Sequence, residues 1–167
     1  MFGMYIGRYD NKIDSKGRLS IPADFRRLLE ENDPKWEPGK NAQMVIVFGD
    51  HRRNYLEVYS INDLLGVHRQ IRGMDPGSKK RAALQKLFAQ QVHPATFDDT
   101  GRIVLPSYLR DKVGLSDKAL VVGNSQTFMI WEPEAYANDD MSNLKEEDDY
   151  DPTLDPAVYL SGDAGLM

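Results

Sequence analysis

Short runs of alternating apolar and polar residues, separated by turn residues, recur along this chain and are typical of β-strands. Two of them, at 19–21 and 103–105, end at Pro22 and Pro106, which stop a strand and suit the first position of a helix. Further β-rich runs predict strands at 4–9, 43–48, 55–59, 118–122 and 127–131. The pattern therefore predicts a ββαββ order that occurs twice.

Helical spacing replaces this alternation between the two ββαββ units. Ser60 and Asn62 are candidate caps for a helix whose spaced residues are Leu64, Leu65, Val67, His68 and Ile71. The segment 73–77 interrupts this helix, and Ser78 is the predicted cap of a second helix over 79–91. The apolar side of the second helix comprises Ala83, Leu84, Leu87 and Phe88. Such a helical hairpin either covers the β-core or meets a neighbouring subunit.

The segment 14–26 recurs 84 positions later as 98–110. Tandem repetition of one structural unit explains this spacing. In each copy a glycine stands where a tight turn needs positive φ, and an aspartate three residues earlier can accept hydrogen bonds from backbone N–H groups. Five of the thirteen positions are identical: Asp14 and Asp98, Gly17 and Gly101, Arg18 and Arg102, Pro22 and Pro106, and Arg26 and Arg110.

Charge is distributed unevenly along the chain, whose formal net charge is −5. The segment 137–167 holds nine Asp and Glu against one Lys, a net of −8, whereas 1–136 holds twenty basic against seventeen acidic residues, a net of +3. The acidity of the tail therefore does not argue against a nucleic-acid partner for the rest of the chain. We expect the tail to be mostly disordered. It is a solvated extension, an autoinhibitory mimic of DNA or a docking segment for another protein.

Basic residues surround the first glycine turn, and such side chains on a hairpin can reach phosphates and the edges of guanine. The alternative for Arg18 is an ion pair with Asp14 that only stabilises the turn. The candidate DNA contacts are Arg8, Lys12, Lys16 and Arg18.

The second copy of the turn has a different charge. Asp98 and Asp99 surround Arg102, and Thr100 replaces a lysine. Because carboxylates repel phosphate, we expect Arg102 to be a turn-stabilising ion-pair partner and Arg18 to remain available for DNA. The first copy should then carry most of the DNA contact.

This motif resembles the AbrB/SpoVT-type swapped-hairpin DNA-binding module, in which Asp-x-x-Gly-Arg, an apolar strand and a proline-opened helix follow one another. Two such halves in one chain resemble the MraZ family. The start Met1-Phe2 and the closing Phe-Met-Ile-Trp-Glu at 128–132, before Tyr136, also fit that family. The resemblance covers residues 1 to about 136.

The resemblance implies an α+β fold with two ββαββ halves of the swapped-hairpin barrel type. A helical hairpin joins the halves, and the acidic tail lies outside the family pattern. The predicted division is 1–61 for the first half, 62–91 for the connecting helices, 92–136 for the second half and 137–167 for the tail.

A regulatory function is also implied by the resemblance. Proteins of this kind bind repeated sites in double-stranded promoter DNA and control the bacterial division and cell-wall gene cluster, including their own gene. They assemble into ring-shaped homo-oligomers and associate with the nucleoid. An oligomeric scaffold or protein-binding module without a specific DNA target is the alternative. An unrecognised hydrolase is a third hypothesis, with only negative evidence behind it.

Several classes of site lack support in the sequence. Cysteine is absent, which excludes disulfides and thiolate metal sites, and the three histidines, His51, His68 and His93, lack the spacing of metal ligands. No phosphate-binding loop or nucleophile motif is present, so we expect no enzyme activity, cofactor, metal or small-molecule substrate. The longest apolar run, 44–48, is far shorter than a membrane span needs. We expect a cytoplasmic protein.

Overall fold

A computed structural model describes residues 3–141 and 150–160 of the 167-residue chain. It confirms the α+β class, because an antiparallel sheet and several helices make up the described residues. The first half contributes β1 (Arg8–Lys12), β2 (Arg18–Ser20), α1 (Ala23–Glu31), β3 (Gln43–Val47) and β4 (Tyr55–Tyr59). The helices α2 (Ile61–Arg72) and α3 (Lys79–Gln85) and a π-helical turn (Lys86–Gln90) follow. The second half contributes β5 (Val92–Thr96), β6 (Arg102–Val104), α4 (Ser107–Val113), β7 (Lys118–Asn124), β8 (Thr127–Trp131) and α5 (Pro133–Ala137).

The strands of the two sequence copies interlock. Six of them form one antiparallel sheet in the order β1-β7-β8-β4-β3-β5, and β2 pairs with β6 in a separate two-stranded ribbon. Among the described residues, only the second hairpin of each half forms a ladder within that half, β3 with β4 and β7 with β8. Every other ladder joins one half to the other: β1 with β7, β2 with β6, β3 with β5 and β4 with β8.

The predicted barrel is not closed. Among the described residues, the six-stranded sheet is open, with β1 and β5 as its edges. Each edge strand continues through a glycine turn into the ribbon, where β2 and β6 pair with each other over only three residues. These short strands cover the core instead of bonding along the sheet edges, so no continuous ladder joins β1 to β5.

The main core lies between the inner face of the sheet and a layer made of α1, α4 and the ribbon. Leu19 and Ile103 point into it from the two ribbon strands, while Phe25 and Leu109 enter from the helices. Phe128 meets them from β8, with its ring centroid 5.1 Å from that of Phe25. Each of these side chains is at most 2% exposed, and full burial of such a side chain contributes about 1.5–3 kcal/mol to folding. The matched apolar positions of the repeat therefore form one shared core.

Helices cover the outer face of the sheet in two separate places. Ile71 of α2 and Phe88 of the π-helical turn pack against Val47, while α5 packs beside Trp131. The predicted second helix over 79–91 runs over 79–90, but its last turn is π-helical, because the N–H of Gln91 donates to the Lys86 carbonyl five residues back at 2.9 Å.

Two further expectations about helices differ from the structure. Leu65, expected on the apolar side of α2, is 45% exposed. The sequence also did not indicate α5, which begins at Pro133 with the Glu132 side chain accepting a hydrogen bond from the Ala135 N–H. Within the described residues, no helix is both long and apolar enough to cross a membrane.

The first strand lies further along the chain than predicted. Instead of 4–9, β1 spans Arg8–Lys12, and all five of its residues pair with β7. Gly7 has φ 92°, a left-handed conformation that separates residues 4–6 from β1. Tyr5 forms only an isolated bridge with Ser125.

The acidic tail is only partly covered by the structure. The prediction that it is mostly disordered falls in part on 142–149 and 161–167, which lie outside the described residues. Residues 152–153 and 156–157 form turns, 158–160 are helical, and the Tyr159 hydroxyl donates to the Asp151 carbonyl at 3.1 Å.

Candidate nucleic-acid interface

The β2/β6 ribbon has one buried and one outward face. Its register pairs Arg18 with Val104, Leu19 with Ile103 and Ser20 with Arg102. Because side chains alternate along a strand, the central pair points into the core and the other four residues point outward. A two-stranded β-ribbon of this kind fits the major groove of B-DNA.

The alternation extends the outward face onto the end of β1. Ile13 forms an isolated bridge with Leu19, and both are buried. Lys12 is one residue before Ile13 and therefore points outward, on the same side as Arg18. The structure thus brings Lys12 and Arg18 together, as the sequence predicted, with the exposed Lys16 in the turn between them.

Turn 1, residues 14–18, is organised by the carboxylate of Asp14. Its Oδ1 accepts hydrogen bonds from the backbone N–H groups of Lys16 at 3.0 Å and Arg18 at 2.9 Å, and Gly17 adopts φ 80°. Its Oδ2 pairs with Nε of Arg18 at 2.6 Å. The backbone hydrogen bond from Arg18 is the main reason that the pKa of Asp14 lies below its usual value. The predicted turn chemistry is confirmed.

Turn 2, residues 98–102, repeats this geometry. Asp98 accepts from the backbone N–H groups of Thr100 at 2.9 Å and Arg102 at 3.0 Å, and its Oδ2 pairs with Nε of Arg102 at 3.0 Å. Gly101 adopts φ 79°. The backbone hydrogen bond from Arg102, aided by bonds from Thr100, lowers the pKa of Asp98 to about 2.

The two ion pairs correct the expected difference between the copies. Arg18 is as firmly paired as Arg102, so the prediction that only the second arginine forms an ion pair is wrong. In both cases the pair uses Nε, and within the described residues neither arginine shows a hydrogen bond from its two terminal nitrogens. The cause is local, because the turn places each aspartate beside the arginine four residues later.

A second correction concerns Asp99. It accepts a hydrogen bond from Nδ2 of Asn41 at 3.0 Å. Only Asp98 pairs with Arg102, so the arginine of turn 2 does not bind two carboxylates as expected. The side chain of Asn41, distant in sequence, holds Asp99 at the surface.

Charge still distinguishes the two turns. Lys12 precedes turn 1 and Lys16 lies within it, whereas the positions 84 residues later are Thr96 and Thr100. Asp99 adds a negative charge to turn 2 where turn 1 has a serine. The outward face of the ribbon is therefore strongly basic only at turn 1.

Arg8 does not belong to this basic face. It stands at the opposite end of β1 from Lys12, four residues or about 13 Å away along the strand. There it pairs in register with Val122, and its guanidinium carbon lies 5.7 Å from the centroid of the Tyr136 ring. The structure does not bring Arg8 to the turn.

Ser20 and Val104 are outward residues of the ribbon that the sequence reasoning did not select. Val104 is 51% exposed and lies directly opposite Arg18. Strand alternation was the signal that could have found both, because the buried partners are only one position away.

Other groups of polar residues offer no comparable site. His68 contacts the Phe88 carbonyl and His93 contacts the Tyr108 hydroxyl, each at 3.0 Å, while His51 is exposed. No three His, Asp or Glu side chains are grouped to hold a metal ion in the part of the chain that the structure describes. A cavity of about 770 Å³ lies on the outer face of the sheet, between α3 and β8, where basic, acidic and apolar residues mix.

Comparison with known proteins identifies the family. The family model MraZ, described as MraZ protein with an antitoxin-like character, matches residues 4–64 and 88–151. The second match runs past residue 136, where the sequence pattern was expected to end, and so includes part of the acidic tail.

Relatives cover nearly the whole chain. A protein named transcriptional regulator MraZ in Ruegeria sp. (strain TM1040) is 44% identical over 160 residues, which is 95% of this chain and 96% of the relative. Its namesake in Ruegeria pomeroyi is 43% identical over the same extent, and the one in Gluconobacter oxydans is 32% identical over 80% of this chain and 79% of its own length. Since the family pattern covers both glycine turns, the interlocked halves and most of the chain, this protein belongs to the MraZ family.

Proposed function

We propose that this chain is a transcriptional regulator that binds double-stranded DNA through turn 1 and the outward face of the β2/β6 ribbon. The observation that carries the proposal is the position of the exposed Lys12 and Lys16 and the half-buried Arg18 on one side of a two-stranded ribbon. The names of the relatives support a regulatory role. The proposal assigns no catalytic activity to the chain.

The geometry indicates different roles for the three basic residues. Lys12, before the turn, and Lys16, within it, are exposed, which suits contact with phosphate groups on either side of a groove. Asp14 holds Nε of Arg18, which orients the guanidinium and leaves its two terminal nitrogens for the O6 and N7 acceptors of a guanine. Arg18 is thus the residue for base recognition. Arg8 was a candidate as well, and its position restricts it to an accessory phosphate contact.

The interlocked strands support a swapped-hairpin arrangement within one chain. In this arrangement the first hairpin of each half, β1/β2 and β5/β6, pairs with strands of the other half. One chain then forms a complete DNA-binding unit with the two halves at 1–61 and 92–136.

Repetition of this unit would suit repeated DNA sites. We propose that the chain assembles into a ring-shaped homo-oligomer that presents several copies of turn 1, because linked copies multiply small individual affinities. Promoter repeats of the division and cell-wall gene cluster, at the nucleoid in the cytoplasm, are the proposed targets. Light scattering tests the assembly, and a monomer at micromolar concentration would contradict it.

A salt titration tests DNA binding directly. We expect the protein to bind DNA from its own upstream region and to lose affinity steeply as salt rises, because lysine contacts with phosphate release counterions. Lys12→Thr and Lys16→Thr replace each lysine by the residue at the matching position of the second copy, and each should reduce the slope of log affinity against log salt by about 1. Thr96→Ser and Thr100→Ser are the matched controls in the second copy. Salt-independent binding, or equal affinity for unrelated DNA, would instead favour a scaffold.

A further inference from the structure

The chain segment and the arginine that cover turn 1 both come from the other half. The Gly17 carbonyl accepts a hydrogen bond from the backbone N–H of Leu105 at 2.8 Å, and Nε of Arg110 donates to the Leu105 carbonyl at 2.9 Å. The guanidinium is so close to the turn that a Cβ atom at Gly17 would lie 3.2 Å from Nε of Arg110. Turn 1 therefore rests on α4 and the end of β6.

Turn 2 rests on the first half in the same way. The Gly101 carbonyl accepts from the backbone N–H of Ile21 at 3.3 Å, and Nε of Arg26 donates to the Ile21 carbonyl at 3.1 Å. A Cβ atom at Gly101 would lie only 2.5 Å from Nη1 of Arg26. The contact is thus reciprocal, and the five identical residues of the repeat include both of its partners.

We propose that Arg110 and Arg26 are positioning residues, each of which sets the conformation of the turn in the opposite half. Arg110 then supports the turn that carries Arg18, although Arg26 is the arginine in the same sequence copy as Arg18. The expected effect on DNA affinity rests on the proposed function above, whereas the expected effect on the conformation of the turns does not.

The chemistry of arginine explains why this residue type occupies both positions. Its planar guanidinium can lie flat on a glycine while Nε donates in a fixed direction, and lysine has no donor at that place. The residue that faces the guanidinium must be glycine, because a side chain at that position would collide with it. A lysine at position 26 or 110 keeps the positive charge but lacks the Nε donor. The lysine variants therefore separate the positioning effect from a loss of charge.

Hydrogen exchange tests the proposal without DNA. In full-length Arg110→Lys, exchange at the Lys16 and Arg18 amides should accelerate about tenfold relative to the Thr100 and Arg102 amides, because the Leu105 segment on which turn 1 rests loses its charged hydrogen bond from Arg110. In Arg26→Lys the pattern should be reversed. Acceleration in the turn of the same sequence copy, or equal acceleration in both turns, would overturn the proposal.

DNA affinity provides the second measurement. Arg110→Lys should weaken binding to the chain's upstream region by about tenfold, and Arg26→Lys by clearly less, with similar losses of melting temperature in both. Combined with Arg18→Ala, Arg110→Lys should have little further effect, because the contact that it positions is already absent. A loss with Arg26→Lys that equals or exceeds the loss with Arg110→Lys would overturn the proposal.

The two experiments separate the inference from the proposed function. If Arg18→Ala binds DNA as tightly as the unmodified chain, turn 1 is not the DNA contact, and the exchange pattern alone decides whether the positioning is reciprocal. If either lysine variant does not fold, Arg110→Gln and Arg26→Gln repeat the exchange comparison with a shorter polar side chain.

Discussion

Arg18 and Arg102 lie diagonally across the β2/β6 ribbon, and each is directly opposite a residue without charge. Arg18 is paired with Val104 and Arg102 with Ser20, so the two guanidinium groups share the outward face. Diagonal neighbours in an antiparallel pair are about 7–8 Å apart, within reach of long side chains. The two arginines, one from each half, are therefore neighbours on this face, and each forms an ion pair with the aspartate of its own turn.

This relationship leads to a prediction about Arg18→Ala and Arg102→Ala. Because the two ion pairs have the same geometry and similar exposure, both variants should show small and similar decreases in melting temperature. DNA discrimination should fall mainly in Arg18→Ala, by about 1–3 kcal/mol, because of the two turns only turn 1 has lysines beside its arginine. Gel shifts and thermal melts of both variants measure this. Equal loss of DNA binding in two folded proteins would contradict the difference in charge between the turns.

Substitution of the turn glycines should show how much the contact with the other half contributes to the free energy of unfolding. Gly17→Ala should lower the free energy of unfolding by about 2–5 kcal/mol, since the strain of a left-handed alanine adds to the cost of overpacking. The new Cβ would lie 2.6 Å from the Leu105 carbonyl oxygen, which is backbone and cannot move aside. Gly101→Ala should cost less, because its Cβ meets the movable side chain of Arg26.

Gly39→Ala is the matched control for these variants. Gly39 also has positive φ, at 88°, but no heavy atom lies within 4 Å of the position of its Cβ among the described residues. Only the backbone strain of about 1–2 kcal/mol remains. Urea denaturation measures all three free energies, and a cost at Gly39 as large as that at Gly17 would show that contact with the other half adds nothing.

The Arg53–Glu57 pair should couple the two halves through β4 and β8. Glu57 is buried, pairs with Arg53 at 3.0 Å and accepts a hydrogen bond from the Thr127 hydroxyl at 2.7 Å. Arg53→Met should lower the free energy of unfolding by about 2–3 kcal/mol, less than for a fully buried pair because part of the Arg53 side chain is exposed.

The double variant Arg53→Met/Glu57→Gln is the control for this effect. It removes the unpaired buried charge and should recover much of the stability. Chemical denaturation of the single and double variants gives the comparison. A double variant that is less stable than Arg53→Met would show that the charge of Glu57 is not the cause.

Acid should destabilise the turns. The pKa of Asp98 is about 2 in the folded protein against an ordinary value of 3.8, and the pKa of Asp14 is lowered in the same direction. A carboxyl group with a lowered pKa stabilises the fold above the unfolded-state pKa, and this contribution is lost as the pH falls from about 4 to about 2. Asp98→Asn should therefore lose less melting temperature over this interval than the unmodified chain. Melting temperatures that fall equally in both proteins would assign the acid sensitivity to other groups.

Removal of the acidic tail should change DNA binding at low salt. Truncation after residue 141 keeps α5 and removes seven acidic residues and one lysine, a net charge of −6. If the tail competes with phosphate for turn 1, the truncated protein should bind non-specific DNA more tightly, mainly where screening is weak. An unchanged affinity at low salt would identify the tail as a solvated extension.

Local features of this protein were readable in the sequence because they depend on neighbouring residues. The repeat itself, the glycine turns with their aspartate caps and the helices after Pro22 and Pro106 follow from residue types a few positions apart. The strands at 55–59 and 127–131 have the predicted bounds for the same reason. The ion pairs of Arg18 and Arg102 belong here too, because each joins residues four positions apart.

The pairing between halves was decided only by the tertiary structure. Both copies have the same turn, strand and helix, so nothing in the sequence says whether Arg26 meets Gly17 or Gly101. The shared core and the ribbon between β2 and β6 decide that it meets Gly101, since each three-residue strand buries its central apolar residue only by pairing with its counterpart. The same long-range pairing removes Arg8 from the basic face and turns Asp99 towards Asn41. Sequence spacing thus determined the parts of the site, and packing between distant segments determined which parts face one another.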